Sequence, residues 1–373
     1  MTGTVPPVRL CVVGHGTAGD LHRSLLEELG YAVCVVDPAP TVPVKDAPLF
    51  DTPEAARRSL RIDAWSLCTP TEHHLKGIQH LLSLEPGVRL LVEKPICRAG
   101  DLISLADLLT AHPRARLLVM DQYRHAVAVD RLLSVLAELP DRPRTSEIRI
   151  GFAKDRLPDI AAGRFVDRDH GVFGYEWLHM LALLRRMLPT TSYDAYMSAD
   201  PRGNRLSVVT HPDLVSTSAL EQTRVGGVEV ELYSTICGRN DHPAIPEPAW
   251  FAGPSNPAQS RRRRVHVACG AWRLVLDLDP LILPGGSSLP RNTHRLVVQR
   301  EGLPSRAWLI HDSPLHNALR WSIEKLTGSQ TPPALDLRGM RRIGRLADAA
   351  HGSSTSAASL PSYEKSKPLP NGP

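Results

Sequence analysis

A short apolar run that leads directly into a glycine-rich turn constrains the fold of this chain more than any other feature. Val8–Val13 (VRLCVV) is rich in β-branched residues, and Gly14-His15-Gly16-Thr17-Ala18-Gly19 matches the pattern G-x-G-x-x-G. Apolar residues at helical spacing follow in Leu21–Leu29. In a strand-turn-helix unit, such glycines permit a tight turn, a close approach of a pyrophosphate and close helix packing, while the helix start offers free N–H groups. We therefore predict that residues 14–19 bind a dinucleotide.

An acidic residue at the end of the second predicted strand refines this prediction. Asp37 follows the apolar run Ala32–Val36 and lies 18 residues beyond Gly19. A carboxylate at this point accepts hydrogen bonds from both ribose hydroxyls and repels a 2′-phosphate. The next residues, Pro38-Ala39-Pro40, include no arginine. The sequence therefore favours NAD as the cofactor, with NADP less favoured.

The first third of the chain alternates apolar strands with helices. Near-continuous apolar strands separated by helices are typical of a buried, doubly wound parallel sheet, and we predict an α/β Rossmann domain over residues 1–125. Further strands are predicted at Ala64–Cys68, Arg89–Val92 and Arg116–Met120, with helices near Pro53–Ser59, Glu72–Ser83 and Asp101–Leu109.

Residues 126–351 have a different sequence pattern, with longer runs of alternating apolar and polar residues and fewer predicted helices. We predict a second, α+β domain with a large open mixed or antiparallel sheet, followed by a disordered tail over residues 352–373. Its predicted strands are Glu147–Lys154, Leu206–Thr210, Leu214–Gln222, Val228–Cys237, Val265–Leu278 and His294–Gln299, and its predicted helices are Val127–Leu139, Gly174–Leu188, His316–Leu326 and Leu337–Ala350.

Composition excludes several classes of function. The chain has 373 residues and a net charge of +5, but its one dense basic run, Arg261–Arg264, has no interleaved aromatic residues, so nucleic-acid binding is not expected. We predict a solvated loop for this run and an exposed loop for Gly238–Ser260. The six cysteines lack zinc-like spacing, so no metal site is predicted. With no signal-like segment and no apolar run of spanning length, we expect a cytoplasmic protein that does not bind a membrane.

Two further segments fall at the carboxyl ends of predicted strands, where open parallel sheets bind ligands. In Cys68–His74 (CTPTEHH), Thr69 and Pro70 are predicted to contact the cofactor, together with His74. In Leu91–Ile96 (LVEKPI), the strand directs Lys94 into the crevice and Pro95 fixes the local backbone. Glu93 can orient the ammonium group of Lys94 or bind the ribose.

Taken in this order and spacing, the glycine turn, the Thr-Pro turn and Glu-Lys-Pro resemble the glucose-fructose oxidoreductase/inositol dehydrogenase (Gfo/Idh/MocA) family. The resemblance extends to Asp121-Gln122-Tyr123-Arg124, to Gly171–His179 (GVFGYEWLH) and to His316–Leu319 (HNAL). It covers about residues 8–350. It implies a Rossmann domain joined to an open sheet whose face lines the active site and often forms a homodimer or homotetramer.

The resemblance also implies roles for individual residues. Lys94 and His179 are expected near the reacting carbon, where either can exchange a proton with the substrate while hydride moves to or from nicotinamide. We expect the pKa of Lys94 to be lowered by burial and His179 to titrate near pH 7 without any shift. Gln122 is expected to contact the cofactor, and Tyr123 and Arg124 the substrate. A sugar, aminosugar or cyclitol is the substrate class that the family most often uses.

One departure from the family pattern leaves alternatives open. The usual aspartate four residues before the histidine is Tyr175 here, and another frequent acid is replaced by Ala182. Glu176 lies about 100° around the helix from position 175, so it is a displaced candidate for binding substrate, and Tyr175 is a candidate proton donor. Three functions therefore stay open: an NAD-dependent oxidoreductase, an NAD-assisted glycoside hydrolase or lyase, and a dinucleotide-binding regulator without turnover.

Overall fold

Two β-sheets organise the protein, a six-stranded parallel sheet and an eight-stranded mixed sheet. The structure is a computed structural model. It describes residues 8–141, 143–162, 167–211, 214–238, 242–243, 245–252, 261–278, 289–330 and 332–352. The predicted tail lies outside the described residues, apart from residue 352. The two sheets confirm the predicted fold class of a Rossmann sheet combined with an open mixed sheet.

The parallel sheet has the strand order β3-β2-β1-β4-β5-β6, which is the order of a Rossmann fold. All five pairings are parallel, so the carboxyl ends of the strands meet at one edge. The strands are β1 (Arg9–Val13), β2 (Ala32–Val36), β3 (Leu49–Phe50), β4 (Ala64–Leu67), β5 (Arg89–Val92) and β6 (Arg116–Val119), and the helices among them are α1 (Thr17–Glu28), α2 (Pro53–Ser59), α3 (His74–Leu84) and α4 (Leu102–Ala111).

The mixed sheet has the order β14-β13-β12-β11-β7-β10-β9-β8, in which only β7 and β10 pair in parallel. Its strands are β7 (Thr145–Lys154), β8 (Arg205–His211), β9 (Leu214–Val225), β10 (Val228–Thr235), β11 (Arg261–Cys269), β12 (Trp272–Asp277), β13 (Thr293–Arg300) and β14 (Arg306–His311). The helices of this part are α5 (Val127–Glu138), α6 (Leu157–Ala161), α7 (Leu178–Met187), α8 (Thr190–Ser198), α9 (Pro314–Thr327) and α10 (Arg338–Gly352).

One apolar core runs from the parallel sheet to the inner face of the mixed sheet. Buried side chains such as Trp65, Phe152 and Trp177 belong to it, and α7 and α10 pack against the mixed sheet within it. A separate cluster joins α9 to α1 and to the other face of the parallel sheet. The strand ends of the parallel sheet therefore face α7 and the mixed sheet across a shared, well-packed boundary.

The basic run contradicts its predicted role as a solvated loop. Arg261–Arg264 forms the start of β11 and pairs with β7. Arg262 and Arg263 are buried, with exposed fractions of 9% and 8%. The guanidinium of Arg262 lies 4.2 Å from the ring centre of Phe251, on the outer face of the sheet, whereas Arg263 points to the inner face. The prediction was wrong because pairing with β7 and tertiary partners, such as Glu176 for Arg263, bury these arginines, and no local pattern shows this.

Two other predictions also needed correction, and two elements were missed. The single strand predicted for Val265–Leu278 is a hairpin that turns at Gly270, where φ is +55°. The loop predicted to be exposed over Gly238–Ser260 includes Ile245 and Phe251, which are buried against the outer face of the mixed sheet. Helix α8 and strand β14 were not predicted, because neither has a clear apolar period. Among the described residues, no helix is both long enough and apolar enough to cross a bilayer.

Candidate active site

The three glycines of the turn after β1 meet different constraints. Gly14 has φ of +88°, and a Cβ there would lie 2.9 Å from Thr69; a Cβ on Gly19 would lie 2.0 Å from the carbonyl oxygen of Gly14. A Cβ on Gly16 would meet nothing closer than Thr41 Oγ1, at 3.8 Å. Packing therefore explains the first and third glycines, whereas the second leaves open space beside the backbone, which is what a bound pyrophosphate requires.

The start of α1 offers unbonded backbone donors to that space. The helix begins at Thr17 after Gly16, and no side chain caps it. The first helical backbone bond runs from the N–H of Asp20 to the carbonyl of Gly16, at 2.9 Å. The N–H groups of Thr17, Ala18 and Gly19 therefore point out of the helix end, where the helix dipole favours an anion.

Asp37 is held at the end of β2 by backbone donors. The N–H of His15 donates to Oδ2 at 2.6 Å and the N–H of Ala39 donates to Oδ1 at 2.9 Å. The carboxylate lines a cavity of 320 Å³ together with Gly14, Val36 and Thr69. The ring of His15 is buried and contacts the carbonyl of Val42 at 3.0 Å, so this side chain fixes the loop beyond β2.

The segment after β4 presents one unsatisfied polar atom to this cavity. Thr69 Oγ1 is buried and has no hydrogen-bond partner among the described residues, so it is free to bond a ligand. Pro70 precedes a short 3₁₀ turn, Thr71–His73. Both ring nitrogens of His74 contact backbone carbonyls, Nδ1 that of Pro95 at 2.8 Å and Nε2 that of Thr69 at 2.7 Å. This histidine ties the two predicted cofactor segments together, and its direct contact with the cofactor stays a prediction.

Glu93 follows β5 and is bound by a buried histidine that the sequence analysis did not single out. His22 Nε2 contacts Glu93 Oε1 at 2.8 Å, and His22 Nδ1 contacts Ser66 Oγ at 2.8 Å. Burial alone would lower the pKa of His22, but Cys68 and Glu93 raise it to about 10. The second carboxylate oxygen of Glu93 accepts the backbone N–H of Lys94 at 3.0 Å. An ion pair between α1 and β5 therefore fixes the backbone that presents Lys94.

Lys94 is half-buried at the carboxyl end of β5, and its Nζ donates a hydrogen bond to the carbonyl of Tyr175. Burial lowers the pKa of Lys94 to about 8, an effect that Glu176 opposes and Arg156 reinforces. The predicted lowering of the Lys94 pKa by burial is therefore confirmed. A lysine amine with a pKa of about 8 exchanges protons readily near neutral pH, which suits general acid–base chemistry.

The segment that enters α7 is a π-helical turn, Phe173–Trp177, rather than the regular helix predicted for Gly174–Leu188. Single π turns occur often at functional sites. Here the Tyr175 carbonyl reaches Lys94, while the Tyr175 hydroxyl accepts the backbone N–H of Asp167 at 3.0 Å. The guanidinium of Arg156 lies 4.4 Å from the centre of the Tyr175 ring. The role of this tyrosine as a proton donor stays a prediction.

Glu176 is a buried anion that pairs with two arginines, Arg156 just after the end of β7 and Arg263 near the start of β11. Its side chain is 1% exposed, and its two oxygens lie 3.1 Å from Arg156 and 3.0 Å from Arg263. Burial would raise the pKa of this carboxyl, but Arg263, Arg156 and Lys94 hold it well below its ordinary value. Glu176 therefore stays ionised and fixes the positions of the two guanidinium groups beside Lys94.

His179 lies one turn further along α7 and is 7% exposed. Its ring packs edge to face against Tyr123, with 5.2 Å between ring centres. Burial, and then the neighbouring Lys94, lower the pKa of His179 well below its ordinary value. The expectation that it titrates near pH 7 was wrong, because the sequence could not show this degree of burial. The imidazole is neutral and can accept or donate one hydrogen bond.

The remaining predicted site residues lie in the 3₁₀ turn that follows β6. The Tyr123 hydroxyl accepts a hydrogen bond from Arg263. Gln122 begins the 3₁₀ turn that follows β6, and Arg124 lies 5.9 Å from the ring centre of Trp321. The sequence did not indicate Arg156 and Arg263 as site residues. Their position depends on the pairing of β7 with β11 beside α7, which no local sequence pattern shows.

Among the comparisons with known proteins, only the comparison with solved structures gives matches, and these matches show the fold. No family sequence model matches the chain, and no curated protein sequence matches it. A Gfo/Idh/MocA family oxidoreductase from Vibrio cholerae is 13% identical, with a TM-score of 0.58, and the match covers 92% of this chain and 94% of that one. The WlbA (WbpB) dehydrogenase from Thermus thermophilus, described in complex with NAD and UDP-GlcNAcA, is 18% identical, with a TM-score of 0.57 and coverage of 94% and 97%.

A third solved structure has the same fold and a different described cofactor. It is a candidate NADPH-dependent oxidoreductase from Desulfitobacterium hafniense, 12% identical, with a TM-score of 0.61 and coverage of 94% of this chain and 96% of that one. This chain therefore has the fold of these oxidoreductases over nearly its whole length.

Proposed function

We propose that the protein is a nicotinamide-dependent dehydrogenase or reductase of the Gfo/Idh/MocA type. It would transfer a hydride between nicotinamide and a carbon that bears a hydroxyl or carbonyl group in a small polar substrate. The observation that carries this proposal is Lys94, a half-buried amine with a pKa lowered to about 8. It stands at the carboxyl end of β5, in the same Rossmann sheet as the glycine turn.

The residues at the carboxyl edge of the sheet fit a dinucleotide. The open space beside Gly16 and the free N–H groups of Thr17 to Gly19 suit a pyrophosphate, and Thr69 Oγ1 is a buried polar atom without a hydrogen-bond partner in the described part of the chain. Asp37 lines the neighbouring 320 Å³ cavity and suits a ribose. When bound, the nicotinamide cofactor supplies the acceptor or donor of the hydride.

NAD is the cofactor that we favour over NADP. The Asp37 carboxylate is fixed by two backbone N–H groups, so it cannot easily turn away from the ribose. A fixed anion at this position repels a 2′-phosphate. Lys76, a cationic side chain, also lines the cavity. Substitution of Asp37 therefore measures how far this carboxylate alone sets the preference for NAD over NADP.

In the oxidative direction, Lys94 accepts the hydroxyl proton. It must be neutral to do so, and its lowered pKa makes a large fraction neutral at slightly alkaline pH. The rate of oxidation should therefore rise with pH through about 8, and reduction should show the opposite trend. Neutral His179 orients the substrate oxygen, and ionised Glu176 holds Arg156 and Arg263 as fixed positive charges beside it.

The substrate class is inferred from the same arrangement together with the compared structures. We propose a sugar, aminosugar or cyclitol. A nucleotide-linked sugar acid deserves the first test, because the Thermus thermophilus dehydrogenase is described in complex with UDP-GlcNAcA. A homodimer or homotetramer is part of this proposal. No specific observation at the site favours NAD-assisted glycoside cleavage or a regulator without turnover.

A panel assay tests the proposal. Purified protein is mixed with NAD or NADH and with nucleotide-linked sugars, sugar acids, keto-sugars and cyclitols, while the absorbance of reduced nicotinamide is followed. A stoichiometric change in this absorbance with one substrate class supports the proposal. Product formed without net change in the cofactor would instead indicate assisted cleavage, and cofactor binding without any product would indicate a regulator.

A further inference from the structure

A second cavity, of 170 Å³, lies beyond the active-site lysine. Its walls come from the ends of β5 and β6, from α7 and α9 and from the segment before α10, and none comes from the glycine turn. The volume is enough for roughly five water molecules at about 30 Å³ each. Its polar lining includes Lys94, His125, His179, Tyr193 and Ser322, together with Asp121, Arg124, Arg185 and Asp336.

The pairing of β5 with β6 places Asp121 in the same row as Lys94. The register pairs Val92 with Val119, and the N–H of Met120 donates to the carbonyl of Val92 at 2.9 Å. Two residues beyond each paired valine come Lys94, just past the end of β5, and Asp121, just past the end of β6. Adjacent strands lie about 4.8 Å apart, so the two residues follow neighbouring strand ends at the carboxyl edge, and both line the cavity.

Asp121 differs from the other carboxylate of the cavity in the pH at which it changes charge. Burial raises the pKa of Asp121 to about 6, although Arg124 and Arg185 oppose the shift. A hydrogen bond from Arg338 lowers the pKa of Asp336 to about 2. The titratable and charged groups around Asp121 are Arg124 and His125 on the same turn, Lys94 after β5, His179 and Arg185 on α7, Tyr193 on α8 and Asp336 before α10.

We propose that this cavity is the proton outlet of the active site, and that Asp121 is the acid through which the proton gained by Lys94 reaches solvent. The inference rests on the proposed function, because oxidation of an alcohol by a nicotinamide releases one proton for each hydride transferred. Lys94 and His179 belong both to the proposed substrate site and to the lining of this cavity, so the cavity adjoins the point at which the proton is released.

The steps balance in charge and protons. The C–H bond of the substrate breaks and its hydride passes to the oxidised nicotinamide, while the O–H proton passes to the neutral amine of Lys94. The resulting ammonium gives this proton to water in the cavity, and water gives it to the ionised carboxylate of Asp121. Protonated Asp121 then releases it to solvent, so that Lys94 is neutral and Asp121 ionised before the next turnover.

Substitution of Asp121 separates this role from a structural one. Asp121→Asn should lower the oxidative kcat about 10- to 100-fold and remove the part of the pH profile that titrates near 6, while Asp121→Glu should retain it. Small carboxylic acids such as formate, which fit a 170 Å³ cavity, should restore part of the rate of Asp121→Asn. Asp336→Asn is the matched control, since it removes a carboxylate from the same cavity; because the Asp336 charge raises the pKa of Asp121, this variant should move the titration to lower pH without abolishing it.

A second measurement does not depend on turnover. Carbon-13 NMR of the Asp121 carboxyl in the cofactor-free protein should show titration near pH 6, with Asp121→Asn used to assign the signal. Removal of the neighbouring cation in Lys94→Met should shift this titration to higher pH, because the carboxylate loses a favourable charge interaction.

The outcomes distinguish this inference from the proposed function. If the wild-type protein transfers hydride but Asp121→Asn has an unchanged pH profile, no rescue by formate and a normal rate, then the proton outlet is refuted and the dehydrogenase stands. An Asp121 titration that does not respond to Lys94→Met would also refute the coupling. A wild-type protein inactive with every nicotinamide and substrate would refute the proposed function itself.

Discussion

The two halves of the candidate site are built in different ways. The nucleotide half uses residues close together in sequence, Gly14 to Asp37, and works mainly through backbone N–H groups and empty space. The catalytic half joins Lys94, Glu176 and Arg263, which come from β5, the π turn and β11, and works through buried charges. The first half therefore depends on local shape, whereas the second depends on electrostatic balance across the whole fold.

Removal of the amine at position 94 should produce the largest effect and should affect only the catalytic half. Lys94→Ala should lower kcat/KM about 10²- to 10⁴-fold, the range typical for loss of a general acid or base. The Kd for NADH, measured by fluorescence, should change by no more than a few-fold. Lys45→Ala, at an exposed lysine, is the control. Equal activity of Lys94→Ala and the wild type would refute a catalytic role for the amine.

Neutralisation of Glu176 tests the electrostatic balance of the catalytic half. Glu176→Gln removes the buried negative charge that pairs with both Arg156 and Arg263, so we expect a loss of about 3–5 kcal/mol in the free energy of unfolding, measured with urea. Because the pKa of Glu176 is depressed in the folded state, its contribution is present at neutral pH and is lost only as the pH falls into the acid range.

The control for this measurement is Glu147→Gln, which removes one member of a partly exposed pair with Arg149, 2.6 Å apart. It should cost less than about 1 kcal/mol. Equal destabilisation by the two variants would show that the Glu176 cluster behaves as an ordinary surface ion pair.

A pair of glycine variants sharpens the description of the nucleotide half. Gly19→Ala places a Cβ 2.0 Å from the carbonyl oxygen of Gly14 and should destabilise the fold by about 1–3 kcal/mol. Gly16→Ala meets no protein atom closer than 3.8 Å, so its Tm should match that of the wild type while its affinity for NADH falls about tenfold or more. Unchanged affinity in Gly16→Ala would show that the pyrophosphate does not bind at this turn.

The smallest expected effect concerns the choice of cofactor. Asp37→Ala removes the anion that faces the ribose, so NAD should bind about tenfold more weakly, equivalent to about 1.4 kcal/mol, and NADP should bind somewhat more tightly. Isothermal titration with both cofactors measures the ratio. A ratio that does not change in this variant would show that another side chain, such as Lys76, sets the preference.

The same contrast explains what could be predicted from the sequence. Strands β1, β2, β4, β5 and β6 lie within one residue of their predicted bounds, because each is a short apolar run next to a local turn signal. The predictions of the Rossmann class, the glycine turn, Asp37 and Lys94 all follow from such local patterns, whereas the lowered pKa of Lys94 depends on burial and on Glu176 and Arg156, which lie far away in sequence.

The arginines of β11 show why the rest could not be predicted. Four consecutive arginines resemble a solvated segment, yet Arg263 is buried because Glu176, 87 residues away in sequence, neutralises it. The pKa of His179 is lowered for a similar reason, since burial and Lys94 act on it through space. Edge strand β14 has mostly exposed side chains, so no apolar pattern marks it.

A crystal structure of the protein with NADH and a substrate identified by the panel assay tests the central claim most directly. We expect the pyrophosphate on the N–H groups of residues 16–19, and Lys94 Nζ within about 3 Å of the reacting oxygen. A dinucleotide bound elsewhere, or a Lys94 amine turned away from that oxygen into bulk solvent, would contradict the account.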